Sequence, residues 1–274
     1  MTHRTYIFSF IFCTLSVAGV RASAATSPKA PTTPQSVFKA GDNFTLVRGV
    51  KVRKGSVAAS MANMRGIRKE VLQKTKQSVL RQPSAKVLGH VNALADLIPS
   101  LSAIDFFELY PPHILRAPNA PLSCQILGVL HAQHHNVQDN SAHLEGVNKL
   151  ITAAQTASQL KGITPASILK DGLDSRTIRG VKGRKGSILA IIRNVQALEA
   201  AHGKNPAAFA DNIKKGVFKT NMDTLAELAP IAWAIGLFDE MPPLDAGTHQ
   251  GAPRAAAHQH MQQSLQTFLS QKEA

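Results

Sequence analysis

Cysteine is almost missing from this chain. Cys13 and Cys124 are the two in 274 residues, so a fold stapled by several disulfides is excluded. Aromatic side chains are nearly as scarce, with one Trp (Trp233) and two Tyr. Proteins that grip single-stranded nucleic acid stack bases on exposed aromatics, and Trp233 and Tyr110 leave little for that role. Acids are outnumbered, 17 against 31 Lys and Arg, for a formal net charge of +14. Beyond Val20 no segment approaches the roughly 18 apolar residues of a membrane-spanning helix. The sequence also lacks the G-x-x-x-x-G-K-[ST] phosphate loop, G-x-S-x-G, H-E-x-x-H and dinucleotide fingerprints. No cofactor is expected, and no catalytic set is recognisable.

The N-terminus has the form of a secretory signal. Arg4 supplies the positive start, Tyr6 to Val20 is apolar apart from small or hydroxyl residues, and Ala22-Ser23-Ala24 offers a small-x-small cleavage site. Cleavage after residue 24 gives an expected periplasmic or secreted protein with no membrane anchor. Cys124 would be its lone cysteine, leaving no intramolecular disulfide. Loss of Arg4 and Arg21 leaves 29 cations against 17 acids. That excess favours contact with anionic surfaces: nucleic acid, acidic glycan or lipid head groups. The expected partner is an anionic polymer or an envelope protein.

The strongest feature is internal repetition. Residues 33–112 return at 164–243 with a constant offset of 131 and 24 identities over 80 positions. None of the identities falls within 64–93. T-P-Q-S-V-F-K-A-G is answered by T-P-A-S-I-L-K-D-G, and R-G-V-K-V-R-K-G-S by R-G-V-K-G-R-K-G-S. The expected organisation is a signal (1–24), a Pro/Ser/Thr linker (25–32), repeat 1 (33–112), a helical connector (113–163), repeat 2 (164–243) and a flexible tail (244–274) with a short helix over Met261 to Phe268. Thr-Pro opens a short helix in each copy. Phe44, Leu46, Val50 and Val52 alternate as short strands about Gly49; Ile178 and Val181 do so more weakly. Ser56 and Ser187 then cap helices whose apolar faces are Val57, Met61, Met64, Ile67 and Val71, and Ile188, Ile191, Ile192, Val195 and Leu198. A second helix carries Leu94, Leu97, Leu101 and Ile104, or Leu225, Leu228, Ile231 and Ile235; Pro99 and Pro230 kink or split it. The fold expected is mainly α with short β-hairpins, a tandem repeat forming two pseudo-symmetric helical lobes. The connector adds helices around Leu122–Leu130 and Leu144–Ala154.

The best candidate site is the repeated basic loop: Arg48, Lys51, Arg53, Lys54 and Ser56, with Arg179, Lys182, Arg184, Lys185 and Ser187. Cations leading into Gly-Ser at a helix start suit an anion, because free N–H groups and the positive helix end lie beside them. The alternative is a pair of solvated turns. Asn63 and Asn194, seven residues after each Ser, are either ligand contacts or buried amides that tie the helix to neighbouring backbone.

Gly55-Ser56 with Asn63, Gly186-Ser187 with Asn194, and Gly236-Leu237-Phe238-Asp239 before proline resemble a group of small uncharacterised bacterial proteins. In the first copy Asp105-Phe106-Phe107-Glu108 replaces the G-L-F-D form. The resemblance implies no activity.

The connector holds the remaining candidates. His131 and His135, one helical turn apart, could share a metal. Cys124 with a nearby histidine suggests a thiol nucleophile, although a cysteine in an apolar run more often packs as a small core residue. Two functions follow, beside the possibility that the kinked helix around Trp233 packs against a partner protein. The first is an exported non-enzymatic binding or scaffold protein of the bacterial envelope, contacting anionic polymers through the two basic loops. The second is an enzyme, a hydrolase for instance, with an unfamiliar site in the His/Cys-containing connector.

Overall fold

The computed structural model describes residues 41–139, 141–204, 215–244 and 252–273. The expected signal, the linker and the Thr33-Pro34 helix lie outside the described residues. In chain order the elements are β1 (Phe44–Val47), β2 (Val50–Arg53), α1 (Ser56–Gln73), α2 (Lys76–Arg81) and α3 (Ala85–Ala103), followed by α4 (Phe106–Leu109), α5 (Pro112–Leu115) and α6 (Leu122–His134). After a 3₁₀ turn at Ala142–Leu144 come α7 (Glu145–Thr156), α8 (Pro165–Ile168), β3 (Ser175–Ile178), β4 (Val181–Arg184), α9 (Ser187–Lys204), α10 (Gly216–Ile235), α11 (Leu237–Glu240) and α12 (Pro253–Glu273). The protein is therefore mainly helical, with two small antiparallel hairpins, β1–β2 and β3–β4.

Each hairpin turns in two residues, between Val47 and Val50 and between Ile178 and Val181. Both turn residues are left-handed: Arg48 (φ 49°) with Gly49 (77°), and Arg179 (47°) with Gly180 (73°). Paired positive φ values give the turn twist that antiparallel strands favour. The arginine carries the steric cost of that conformation.

Gly55 and Gly186, both at φ 85°, then steer the chain into α1 and α9. The expectation that Ser56 caps its helix needs correction, since Gly55 is the cap residue and no side chain caps α1. Ser56 and Ser187 instead donate their hydroxyls back to the carbonyls of Arg53 and Arg184, each at 2.8 Å. The tight glycine turn brings that carbonyl within reach and places each serine inside its helix.

The helix faces fall where the 3.6-residue period puts them. Met61, Met64 and Ile67 on α1 are fully buried, as are Ile191, Ile192, Val195 and Leu198 on α9. α3 packs against α1, and α10 against α9. Pro99 and Pro230 sit inside α3 and α10 without splitting them. A proline removes one i→i−4 bond, and buried neighbours on either side, Leu97 and Leu101 or Leu228 and Ile231, hold the helix through it. Buried residues from both halves form one continuous cluster.

The connector helices α6 and α7 cover α3, and α6 also meets α1. The flexible tail expected over 244–274 is corrected over its described part, where the short helix expected over Met261 to Phe268 is longer. Pro253–Glu273 is a 21-residue helix packed on α10 and α9. Its inner face is Ala257, Met261 and Leu265, spaced four apart so that they stack along one side. Few of its residues are strongly apolar, so the buried stripe shows little in composition.

Candidate anion-binding site at the paired hairpins

Successive strand residues face opposite ways. In β2, Val52 is buried while Lys51 on the other face is exposed and Arg53 partly so. In β4, Lys182 and Arg184 are exposed, and Gly183 between them lies so close to Ile231 that a Cβ would collide with it. Lys51 Nζ lies 4.3 Å, and the Arg53 guanidinium 5.0 Å, from the centroid of Phe44 across the hairpin. Such cation–π contacts stabilise modestly at exposed sites, by about 0.5–1 kcal/mol. Lys51, Lys182 and Arg184 thus stand exposed on the strands, with Arg53 partly buried.

Lys54 and Lys185 are elsewhere. They are 1% and 6% exposed, and each reaches across to the other hairpin. Lys54 Nζ donates to Leu173 O at 2.7 Å, and Lys185 Nζ to Asp42 O at 2.8 Å. The backbone completes the exchange: Gly41 N donates to Asp174 Oδ1 and Gly172 N to Asn43 Oδ1, both at 3.1 Å. Every one of these bonds maps onto its counterpart under the 131-residue offset. Lys185 also pairs with Asp174 at 2.7 Å, whereas the equivalent neighbour of Lys54 is the neutral Asn43. Burial, and after it the nearby Lys185, lowers the pKa of Lys54. Lys54 and Lys185 are therefore occupied in holding the two hairpins together. Arg53 pairs with Asp171 at 2.6 Å.

Between the hairpins lies a narrow cleft of about 90 Å³. Val52, Ile178, Ile188, Ile231 and Ile235 supply apolar wall, and Arg53, Arg176 and Arg184 line it as well. The first turns of α1 and α9 also face it, through Ser56-Val57 and Ser187-Ile188, adding the positive ends of two helix dipoles.

Arg48 and Arg179 serve as tethers. Arg48 forms a two-pronged pair with Asp105, one arm at 2.9 Å. Asp105 is 2% exposed and left-handed at φ 63°, and also receives Arg193 Nη1 at 3.3 Å and Gln196 Nε2 at 3.0 Å. The matching position in the second half is Gly236, at φ 92°. Arg179 bonds Asp239 at 2.9 Å and lies 5.3 Å from the Trp233 ring.

Asn63 is a buried tie. Its amide donates to Ala59 O (2.8 Å) and Ile163 O (2.7 Å), and its oxygen accepts from Ile163 N (2.8 Å) beside His90 Nδ1 (2.9 Å). Asn194 is likewise buried and donates to Ala190 O at 2.7 Å.

In the connector, His131 stacks on Phe107 at 4.0 Å and on His135 at 4.5 Å. Burial first, then the neighbouring histidines, lowers its pKa to about 4. Among the described residues no group of three or more His, Cys, Asp or Glu is placed to hold a metal ion. Cys124 is buried and donates its thiol to Glu240 O at 3.1 Å; burial and the nearby Glu240 push its pKa up to about 12. A group so protonated at neutral pH is a poor nucleophile.

Sequence reasoning missed the acceptors of the two lysines, Leu173 O and Asp42 O. A backbone carbonyl carries no residue signal. Asp171 and Asp174 could have been found from their position just before the second basic strand pair. Comparison with known proteins gives no match, whether to a family model, a curated protein or a solved structure.

Proposed function

We propose that this is an exported, non-enzymatic binding or scaffold protein of the bacterial envelope. Its two repeats act as a pseudo-twofold pair that holds an anionic polymer across the hairpins. One observation carries the reading: Arg53 and Arg184, at equivalent ends of β2 and β4, line the same cleft, and Lys51 and Lys182 stand beside them on the exposed strand faces. The reciprocal lysine bonds support the pseudo-twofold, since a twofold contact repeats each interaction with its partners exchanged. The excess of cations supports an anionic partner, and the signal-like N-terminus supports export. The thiol pKa of Cys124 weighs against a nucleophilic enzyme.

The test is salt dependence. Four engaged cations give a slope of about −3 in log affinity against log salt on a nucleic-acid-like polyanion. Lys51→Ala with Arg53→Ala should flatten it by roughly one and a half units, and so should Lys182→Ala with Arg184→Ala. Lys54→Ala should leave the slope unchanged. Salt-insensitive binding, or double variants that behave like the parent, would overturn the reading.

A further inference from the structure

The outer faces of the two hairpins differ in one respect that charge does not capture. Pairing sets Phe44 opposite Arg53 and Leu46 opposite Lys51 in the first hairpin, but Ser175 opposite Arg184 and Thr177 opposite Lys182 in the second. The first face is thus apolar and cationic, the second merely polar and cationic. Leu46 is 75% exposed. It cannot turn inward, because the strand period commits it to the face opposite Val47 and the Arg48–Asp105 pair ties the hairpin tip to the body.

A second exposed leucine stands at the open end of the same hairpin. Leu173 is 48% exposed, and its carbonyl is held by Lys54 while Arg53 holds Asp171 two residues earlier. Four large apolar side chains stand exposed among the described residues, and these are two of them. The carboxylate of Asp171 is offset by its pairing with Arg53, and Lys51 carries no carboxylate contact among the described ion pairs.

We infer that the outer face of the β1–β2 hairpin docks on an anionic lipid surface, with Leu46 entering the headgroup boundary and Lys51 meeting lipid phosphates. Two features favour a bilayer over a soluble polyanion. A polyanion offers nothing to a leucine, whereas an interface rewards its burial. Amphiphilic cations also suit the boundary, where a stem lies in the apolar layer and its charge in the headgroups. The inference rests on the outward placement of Lys51 used above, and its test separates from the polymer reading through Leu46.

The experiment uses the full chain and sedimentation with large vesicles of phosphatidylcholine alone or with about one-third phosphatidylglycerol. Binding is expected to the anionic vesicles and not to the neutral ones. Leu46→Ser should weaken it about tenfold, because part of the gain from burying a leucine is lost. Lys51→Ala should weaken it about fivefold. Leu46→Ser should leave heparin binding and the thermal midpoint unchanged, which separates docking from folding. Thr177→Leu should strengthen vesicle binding by giving the second hairpin the same face. Absence of vesicle binding, equal binding to neutral vesicles, or a Leu46→Ser variant that binds like the parent would overturn the inference. Heparin binding without vesicle binding would overturn it while sparing the polymer reading.

Discussion

Lys54 and Lys185 occupy equivalent positions with unequal surroundings, and that inequality can be tested. Lys185 has the carboxylate of Asp174 beside it; Lys54 has the amide of Asn43 in the matching place. Asn43→Asp keeps the acceptor for Gly172 N and gives Lys54 a counter-charge. A partly exposed pair contributes up to about 1 kcal/mol, so the thermal midpoint should rise by about 1–3 °C. Lys54→Ala should act the other way, leaving Leu173 O without its donor at a cost of about 1–3 kcal/mol in urea denaturation. Gly236 is constrained by both backbone and space. Its φ of 92° is left-handed, and an added Cβ would collide with the Arg65 guanidinium that bonds Ile235 O. Gly236→Ala should therefore destabilise by more than the roughly 1–2 kcal/mol of the backbone term alone. His131 ties stability to pH. Its folded pKa of about 4 lies below the ordinary 6.5, so between those values the unfolded chain holds a proton that the folded chain lacks. This contribution to stability is complete above about pH 6.5, shrinks as pH falls toward 4 and levels off below it. His131→Phe, which retains a ring against Phe107, should lose less thermal stability than the parent between pH 7 and pH 4.

Among the elements, α12 and α6 allow direct measurement. α12 buries Met261 completely, so Met261→Ala should cost about 2–5 kcal/mol and Gln262→Ala, on the exposed side, very little. α6 carries Cys124, which should resist thiol reagents at pH 8 in the native protein and react once the chain is unfolded in denaturant. Rapid native labelling would reopen the enzyme alternative. The long helices were legible because their buried residues recur with the helical period: every residue of the predicted α9 face is buried. The first hairpin was legible from its alternating apolar residues. The second was faint because Ser175-Arg176-Thr177-Ile178 carries one apolar residue, and its left-handed Arg179-Gly180 turn shapes it instead. Only the second half of α12, Met261 to Phe268, was legible as a short helix; its first half was hidden because alanine and glutamine carry little apolar signal even where they lie along a helix that packs. In the candidate site, the outward cations Lys51 and Lys182 are where strand alternation puts them. The inward turn of Lys54 and Lys185 depends on partners more than a hundred residues away, which local pattern does not encode.

At the level of the molecule, the two halves share one core and exchange ties at their hairpins, so they should unfold together. Calorimetry should show one transition with matching calorimetric and van't Hoff enthalpies; two resolved transitions would mean the halves are independent bodies. The crossed lysines also bear on how the chain is made. Lys54 leaves the ribosome 119 residues ahead of the carbonyl it must meet, and Asp42 precedes Lys185 by 143. Until the second hairpin has emerged, the first has no acceptor for its buried ammonium and no reason to bury it. The crossed lysine bonds therefore wait until Lys185, about two-thirds of the way along the polypeptide, has been made. Such late, long-range closure slows folding.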